Sequence, residues 1–534
     1  MDKKRRWIRT GWGTLLCAWL AMTPAMTAEA VPSEKPRPVP VQLLSINDLH
    51  GQLNVTRSVN GKPAGRADYL ATYLRQRESK NKNTIKVHAG DVVGASAPVS
   101  ALLQDEPTIE ILNQLNFDLG TVGNHAFDEG VDEMMRLIDG GTHEKTGRFK
   151  GADFPYTAAN LLDKDTGEPI LPPHIIKRVK GIPIGFIGIV TKETPKIVTP
   201  EGVKGVQFTD EAQAINQQVN ALKKKGVHAI VVVAHEGGFQ DSSTGEMEGP
   251  IIDIAKKVDD EVDVILSGHT HSFLNGTVDG KWVVQAYSSG TAFADVDLLL
   301  DRRSRDMTVK QSEIVTTFHE GIQSDPQVRE IIQHYEKKVE PIIEQEVGQA
   351  AENITETSNE AGESALGNLI ADAQRWKMDT DFAFMNPGGI RDQIDAGTVT
   401  WGDLYNVQPF SNDLVTMHLT GEQIEKLLNQ QWELDRPRIL QVSGLTYRWD
   451  PDRPVGDRIV AIKKDDGTPI DPGTSYTVTV NSFLASGGDG FTVFTEGADK
   501  VVGPVDLDAL VDYIEQLDQP FTAQIEGRIQ QEAH

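Results

Sequence analysis

Five short polar stretches, each at the carboxyl end of an apolar run, constrain this chain more than any other feature. Asp48 and His50 follow Val41–Ile46, and Asp91 follows Thr84–His88. Asn124 and His125 follow a short strand expected after the helical run Glu110–Asp118. His235 follows Ile230–Ala234, and His269 and His271 follow Val264–Gly268. In an open α/β sheet the carboxyl ends of the strands face one crevice, so these side chains are expected to converge. Taken singly, each stretch is an ordinary turn or cap; their joint occurrence at strand ends points to a metal site. Nitrogen and oxygen donors without thiolates suit Zn, Mn or Fe. One carboxylate can hold two ions, and Asp91 is placed to bridge a pair about 3.5–4 Å apart, the spacing that clamps both oxygens of a displacement at phosphorus. Asp128, three residues after His125, is near enough to bond one imidazole nitrogen and fix its tautomer.

The remaining pattern supplies the scaffold. Strands are expected at Ile182–Val190, Ala229–Ala234 and Val262–Leu266, and helices at Tyr69–Arg77, Val131–Ile138, Glu211–Lys224 and Ile251–Val258. This alternation argues for an α/β fold. Val283–Ala286, Ala294–Leu300 and Met307–Thr317 read as further strands, some antiparallel. At 534 residues the chain is too long for one core. Ser324-Asp325-Pro326 is a helix start, a cap followed by an early proline. We read 324–346 as a helix connecting a catalytic domain at 41–323 to a second domain at 347–534.

The first thirty residues read as a targeting segment. Five basic residues precede the apolar run Trp12–Met22, and Ala28-Glu29-Ala30 fits a small-residue cleavage site. The run is too short for a good membrane span, so export and release, to the medium, the periplasm or the cell envelope, is expected after cleavage near Ala30. A proline-rich lead-in follows at 31–40. The only cysteine, Cys17, lies inside the removed segment, which leaves a mature chain without disulfides or thiolate chemistry. The net charge of −26, or −29 after cleavage, argues against nucleic-acid polymers and anionic lipid as partners. A small anionic substrate remains compatible, because metal ions supply local positive charge.

Asp48-x-His50, Gly90-Asp91, Gly123-Asn124-His125-x-x-Asp128, His235 and Gly268-His269-x-His271 together resemble the calcineurin-like metallophosphoesterase signature, over about residues 41–300. The resemblance implies that Asp48, His50, Asp91 and His271 hold one ion and that Asp91, Asn124, His235 and His269 hold the other. It further implies that His125, braced by Asp128, stabilises the phosphoryl group while a metal-bridging hydroxide attacks. In the second half, Leu366-Gly367-Asn368, Asn386-Pro387-Gly388-Gly389-Ile390-Arg391, Gln408-Pro409-Phe410 and Asn481 to Gly490 resemble the C-terminal domain of 5′-nucleotidases. The implied architecture is an N-terminal metallophosphoesterase αββα sandwich plus a C-terminal α/β substrate-binding domain. By the same resemblance Phe410 and Phe483 sandwich a nucleobase, Asp489 takes the ribose hydroxyls, and Asn386 and Arg391 touch base or phosphate. Two departures stand out. The region before Leu366 lacks the arginine that the family often places there, and Pro387 replaces a common glycine.

The activity this implies is release of phosphate from nucleoside 5′-monophosphates by a secreted two-metal hydrolase. The alternatives on the same scaffold are a 2′,3′-cyclic-nucleotide 2′-phosphodiesterase/3′-nucleotidase and a nucleotide-sugar hydrolase. A non-catalytic envelope binding protein is the alternative of another class; lost ligands would favour it, and all seven are present.

Overall fold

A computed structural model describes residues 37–434 and 436–532. The expected targeting segment and most of the lead-in lie outside the described residues. From Pro38 onward the chain forms one compact unit. Among the described residues no helix is long and apolar enough to cross a membrane.

Two sheets make the N-terminal half. In the first, strands lie in the order Met307–Thr316, Ala292–Leu300, Val39–Ile46, Thr84–Ala89, Leu119–Thr121. Val39–Ile46 pairs antiparallel with Ala292–Leu300 and parallel with Thr84–Ala89. The second sheet orders Phe273–Val278, Lys281–Ala286, Val262–Leu266, Ala229–His235, Ile182–Val190, Ile175–Val179, with its four central strands parallel. The central strands Ile182–Val190 and Ala229–His235 are buried throughout because both of their faces are covered. Val41 and Leu43 point into the space between the sheets with Phe186, Val231 and Val264, while Leu44 and Ile46 point outward under helices. On the second sheet Val231 and Val233 face inward, and Ile230 and Val232 pack outward with Ile215 and Leu222 of the helix Glu211–Lys224. The result is the expected αββα sandwich.

The C-terminal half has a five-stranded sheet in the order Gln441–Ser443, Phe382–Met385, Ser475–Asn481, Asp413–Thr420, Ala498–Val505, with the helix Ala365–Met378 packed against it. Ser364 caps that helix by accepting from the Gly367 amide, which explains the start of the Leu-Gly-Asn stretch. Glu363 beside it is fully buried and structural: it accepts from Asn368 and from the amides of Glu526 and Gly527.

Element ends differ from the sequence reading by a few residues. The first strand begins at Val39, inside the expected lead-in. Pro40 is tolerated because the neighbouring strand Thr84–Ala89 starts pairing only at Gln42, so the missing N–H costs no ladder bond there. The long helix is Pro326–Ile343, capped by Asp325, which accepts from the amides of Gln327 and Val328. Glu346 already opens the strand Glu346–Ala350, which pairs with Gly397–Thr400. Nor is the helix a free connector: Val328, Ile332 and Val339 sit in the N-terminal core with Leu70, Leu74 and Ile111. Ile332→Ala should therefore destabilise the protein by about 2–5 kcal/mol, whereas Glu330→Ala on the exposed face should stay within about 0.5 kcal/mol. Thermal melting of both variants checks this; equal, small shifts would detach the helix from the core.

Candidate metal centre and substrate cleft

The expected ligands come from both sheets, not from one. Asp48, His50, Asp91, Asn124 and His125 leave the first sheet; His235, His269 and His271 leave the second. The facing sheets bring both sets to one edge of the sandwich. His235 is the last residue of its strand, Asn124 and His125 open the short 3-10 helix Asn124–Phe127, and the others sit on the loops that follow their strands.

Their approach requires unusual backbone. Asp48, His50, Asp91, His269 and His271 all have positive φ, between +43° and +74°. Asp and His tolerate this region better than most residues, yet each such position costs on the order of 1–3 kcal/mol and must be held by its surroundings. The holding bonds are visible. Both oxygens of Asp48 accept from the His269 amide, at 3.0 and 2.9 Å, and Asp91 Oδ1 accepts from the His125 amide at 3.0 Å. The flanking glycines have a steric reason. A Cβ on Gly123 would lie 2.0 Å from Asp91 Oδ1, and one on Gly90 would lie 2.4 Å from His235 Nδ1.

Three groups of ligand atoms form: Asp48, His50 and His271; His50, Asp91 and His125; Asp91, His235 and His269. Their tautomers favour a cation. His50 Nδ1 donates to the Gly94 carbonyl at 2.8 Å, so its Nε2 lone pair faces His271 Nε2, 3.0 Å away. His235 Nδ1 donates to the Ala89 carbonyl at 2.9 Å, so its Nε2 faces Asp91 Oδ2 and Asn124 Oδ1, each at 3.0 Å. Lone pairs thus point at lone pairs, and the donor set fits divalent ions with nitrogen and oxygen ligands. Burial disfavours the charged form of His235, but the Asp91 carboxylate outweighs it and pushes His235 up to about 9. Burial and the charge on His235 push His269 down to about 3, and His50 falls well below the ordinary histidine value through burial and His271. The carboxyl of Asp91 is held well below its usual range: burial opposes ionisation, and His235 and His125 overcome it.

His125 stands apart from this set in one respect. Its Nδ1 donates to Asp128 Oδ2 at 2.8 Å, the brace expected from the sequence. Its ring lies nearly parallel to Phe410 of the C-terminal domain, with centroids 5.6 Å apart and planes 18° apart. The two domains therefore meet at the site. Arg57 adds an ion pair across the junction, with Asp392 at 2.8 Å.

All five expected substrate residues, Asn386, Arg391, Phe410, Phe483 and Asp489, line a cavity of about 540 Å³ that is also lined by Asp91, Asn124, His125, Asp128, His269 and His271. The Arg391 guanidinium lies 5.8 Å from the centre of the Phe410 ring. The Phe483 ring rests on Gly488, where a Cβ would come within 2.5 Å of it, which accounts for the Gly-Gly-Asp-Gly turn. Asp489 accepts from Asn386 at 3.0 Å and pairs with Arg438 at 3.5 Å. Sequence reasoning missed Arg436 and Arg438, which also line this cavity. They supply positive charge that the stretch before Leu366 lacks. The only available signal was two arginines flanking Pro437, in a segment without periodicity.

Comparison with known proteins agrees with this geometry. Residues 41–273 match the calcineurin-like phosphoesterase family, and residues 346–496 match the 5′-nucleotidase C-terminal domain. The chain is 43% identical over 92% of its length to the endonuclease YhcR of Bacillus subtilis, of which it spans 41%. It is 35% identical over 92% of its length to the cell wall protein Lmo0130 of Listeria monocytogenes, of which it spans 69%. Among solved structures it is similar to a 5′-nucleotidase precursor from Thermus thermophilus, with a TM-score of 0.79 and 29% identity over 92% of this chain and 99% of that one. The chain belongs to the 5′-nucleotidase family of two-domain calcineurin-like metallophosphoesterases, a family of metal-dependent phosphoester hydrolases.

Proposed function

We propose that this protein is an exported nucleotide phosphohydrolase that releases phosphate from nucleoside 5′-monophosphates at a two-metal centre. The observation that carries this reading is the shared cavity, in which the histidine–carboxylate cluster and the two phenylalanines line one space. Asp48, His50, Asp91 and His271 would hold one ion, and Asp91, Asn124, His235 and His269 the other. Divalent ions there would supply Lewis-acid activation of water and neutralise charge at phosphorus.

The chain's own residues do the rest. His125 Nδ1 donates to Asp128, and although burial opposes the charge, Asp128 and Asp91 favour the imidazolium, which presents Nε2–H to a phosphoryl oxygen. Arg391, half-buried beside Phe410, would offer a fork to the same phosphate. One face of Phe410 is taken by His125, and a nucleobase would lie on the other, with Phe483 across it. Asp489, held by Asn386 and Arg438, would accept from ribose hydroxyls. Export is supported by the basic–apolar–small pattern of residues 1–30 and by the similarity to a cell wall protein.

Three outcomes follow. Asp91→Asn should abolish turnover and lower metal content, since one carboxylate serves both ions; two ions per chain by elemental analysis together with retained rates would refute the bridge. His125→Ala should cut kcat by about 10²–10³ with metal content unchanged, the loss expected for one preorganised stabiliser of charge. Loss of metal in that variant would instead make His125 a ligand. Replacing both Phe410 and Phe483 by alanine should remove roughly 2–6 kcal/mol, or less if the two rings share one base, from kcat/KM for AMP. An aryl phosphate, which needs only the metal centre, should be hydrolysed nearly as before. A parallel fall for both substrates, with early melting, would make the phenylalanines core residues and remove the nucleotide assignment.

A further inference from the structure

The two imidazoles whose tautomers the backbone sets are held in different ways. His235 donates to the carbonyl of Ala89, which closes the strand Thr84–Ala89 and is in register with Thr121 of the next strand. His50 donates to the carbonyl of Gly94, which belongs to no strand or helix. Gly94 and Ala95 both have positive φ, +80° and +46°. A loop in that conformation persists only where its surroundings hold it. Gly94 also lies close against the His125–Asp128 pair: a Cβ on it would come within 2.5 Å of the His125 carbonyl oxygen and 3.1 Å of Asp128 Oδ2.

The anchor is Asp105. Its Oδ2 accepts from the Gly94 amide at 3.0 Å, and its Oδ1 accepts from the Ser100 hydroxyl at 2.7 Å. Asp105 occupies the N-cap position of the helix Glu106–Gln114, where an aspartate ordinarily accepts from the amides of its own first turn. Here the side chain makes no such bond. Capping needs an extended backbone, and Asp105 is left-handed, with φ +55° directly after Gln104 at +56°. A side chain that forgoes its cap from a strained backbone is committed elsewhere. The N–H and the C=O of Gly94 belong to successive peptide units, so what passes through the residue is position. With the N–H pinned, the carbonyl stays aimed at His50 Nδ1, and His50 Nε2 stays aimed at the ligand cluster.

We propose that Asp105 is a positioning residue of the metal centre: it pins Gly94, and through Gly94 it fixes the tautomer and aim of His50. This rests on the reading above in taking His50 as a ligand of one of two ions. Without the anchor, the ion assigned to Asp48, His50, Asp91 and His271 would be held less tightly. Asn124, His235 and His269, which take no bond from Gly94, would keep the other. Asp105 therefore acts on one ion and spares its neighbour, and that asymmetry separates positioning from a general loosening of the fold.

Three variants of the full chain test this. Asp105→Gly removes the carboxylate and suits the left-handed backbone, so the fold should persist. Asp105→Asn tolerates the same backbone and keeps an acceptor for the Gly94 amide; its Nδ2 donates to Ser100 Oγ, whose proton passes to Thr108 Oγ1, 2.7 Å away. Ser100→Ala removes the other partner of Asp105 and leaves Gly94 in place. The first readout is ring-nitrogen NMR of the metal-free protein labelled at histidine, with the His50 signal assigned by its loss in His50→Gln. Wild type, Asp105→Asn and Ser100→Ala should show His50 as the single Nδ1–H tautomer, and Asp105→Gly should show a mixture. The second readout is calorimetric titration with Mn²⁺. Asp105→Gly should weaken one ion about 10–100-fold and change the other by less than about threefold, while Asp105→Asn and Ser100→Ala match wild type. An unchanged His50 signal in Asp105→Gly, or equal weakening of both ions, would overturn the proposal. So would the same losses in Asp105→Asn or Ser100→Ala, or a collapse of the fold in Asp105→Gly by thermal melting. A wild type that binds fewer than two ions would overturn the two-metal reading instead, and the tautomer in the metal-free protein would still decide the role of Asp105.

Discussion

The structure depends on a set of electron pairs aimed at one another. Asp91 and Asn124 face His235, and His50 faces His271, each pair at 3.0 Å and with too few protons to go round. Buried groups of this kind are costly unless a cation or a proton lies between them. The Asp91 carboxylate favours a proton on His235, and divalent ions would compete with that proton. Everything around the cluster works to hold it closed. Amides of His125 and His269 tie down the carboxylates, carbonyls of Ala89 and Gly94 set the imidazole tautomers, and glycines leave room for side chains that cross the loops.

The sandwich makes this affordable. Two sheets packed through Val41, Leu43, Val231 and Val264 form a rigid platform whose edges carry the strained loops. Five left-handed residues at the site would cost several kcal/mol together, by an order-of-magnitude count. A platform buried on both faces can bear that cost, since loop strain cannot be relieved without moving core strands.

The second domain turns a reactive cluster into a selective site. Phe410 lies on His125, Arg391 reaches over Phe410, and Arg57 is paired with Asp392 beside it. The residues proposed for base and phosphate therefore share one cavity with the candidate metal ligands.

Much of this was legible in the chain itself. Continuous apolar runs ending in Asp, Asn or His marked the strands and the side chains that cluster at their ends, because buried strands need unbroken apolar sequence and sites on α/β folds gather at strand ends. The Asp128 brace on His125 was readable because a spacing of three is local. Tertiary structure alone decided that the ligands come from two facing sheets, since the pairing of Val39–Ile46 with Ala292–Leu300 joins segments about 250 residues apart and leaves no local signal. It also decided which loop charges enter the site. Arg436 and Arg438 lie outside any periodic pattern, and a loop residue acquires a role only from where the fold carries it. Periodicity records burial, and burial is what the sequence by itself determined; the meeting of two domains over one metal centre is a matter of distance, which only the folded chain possesses.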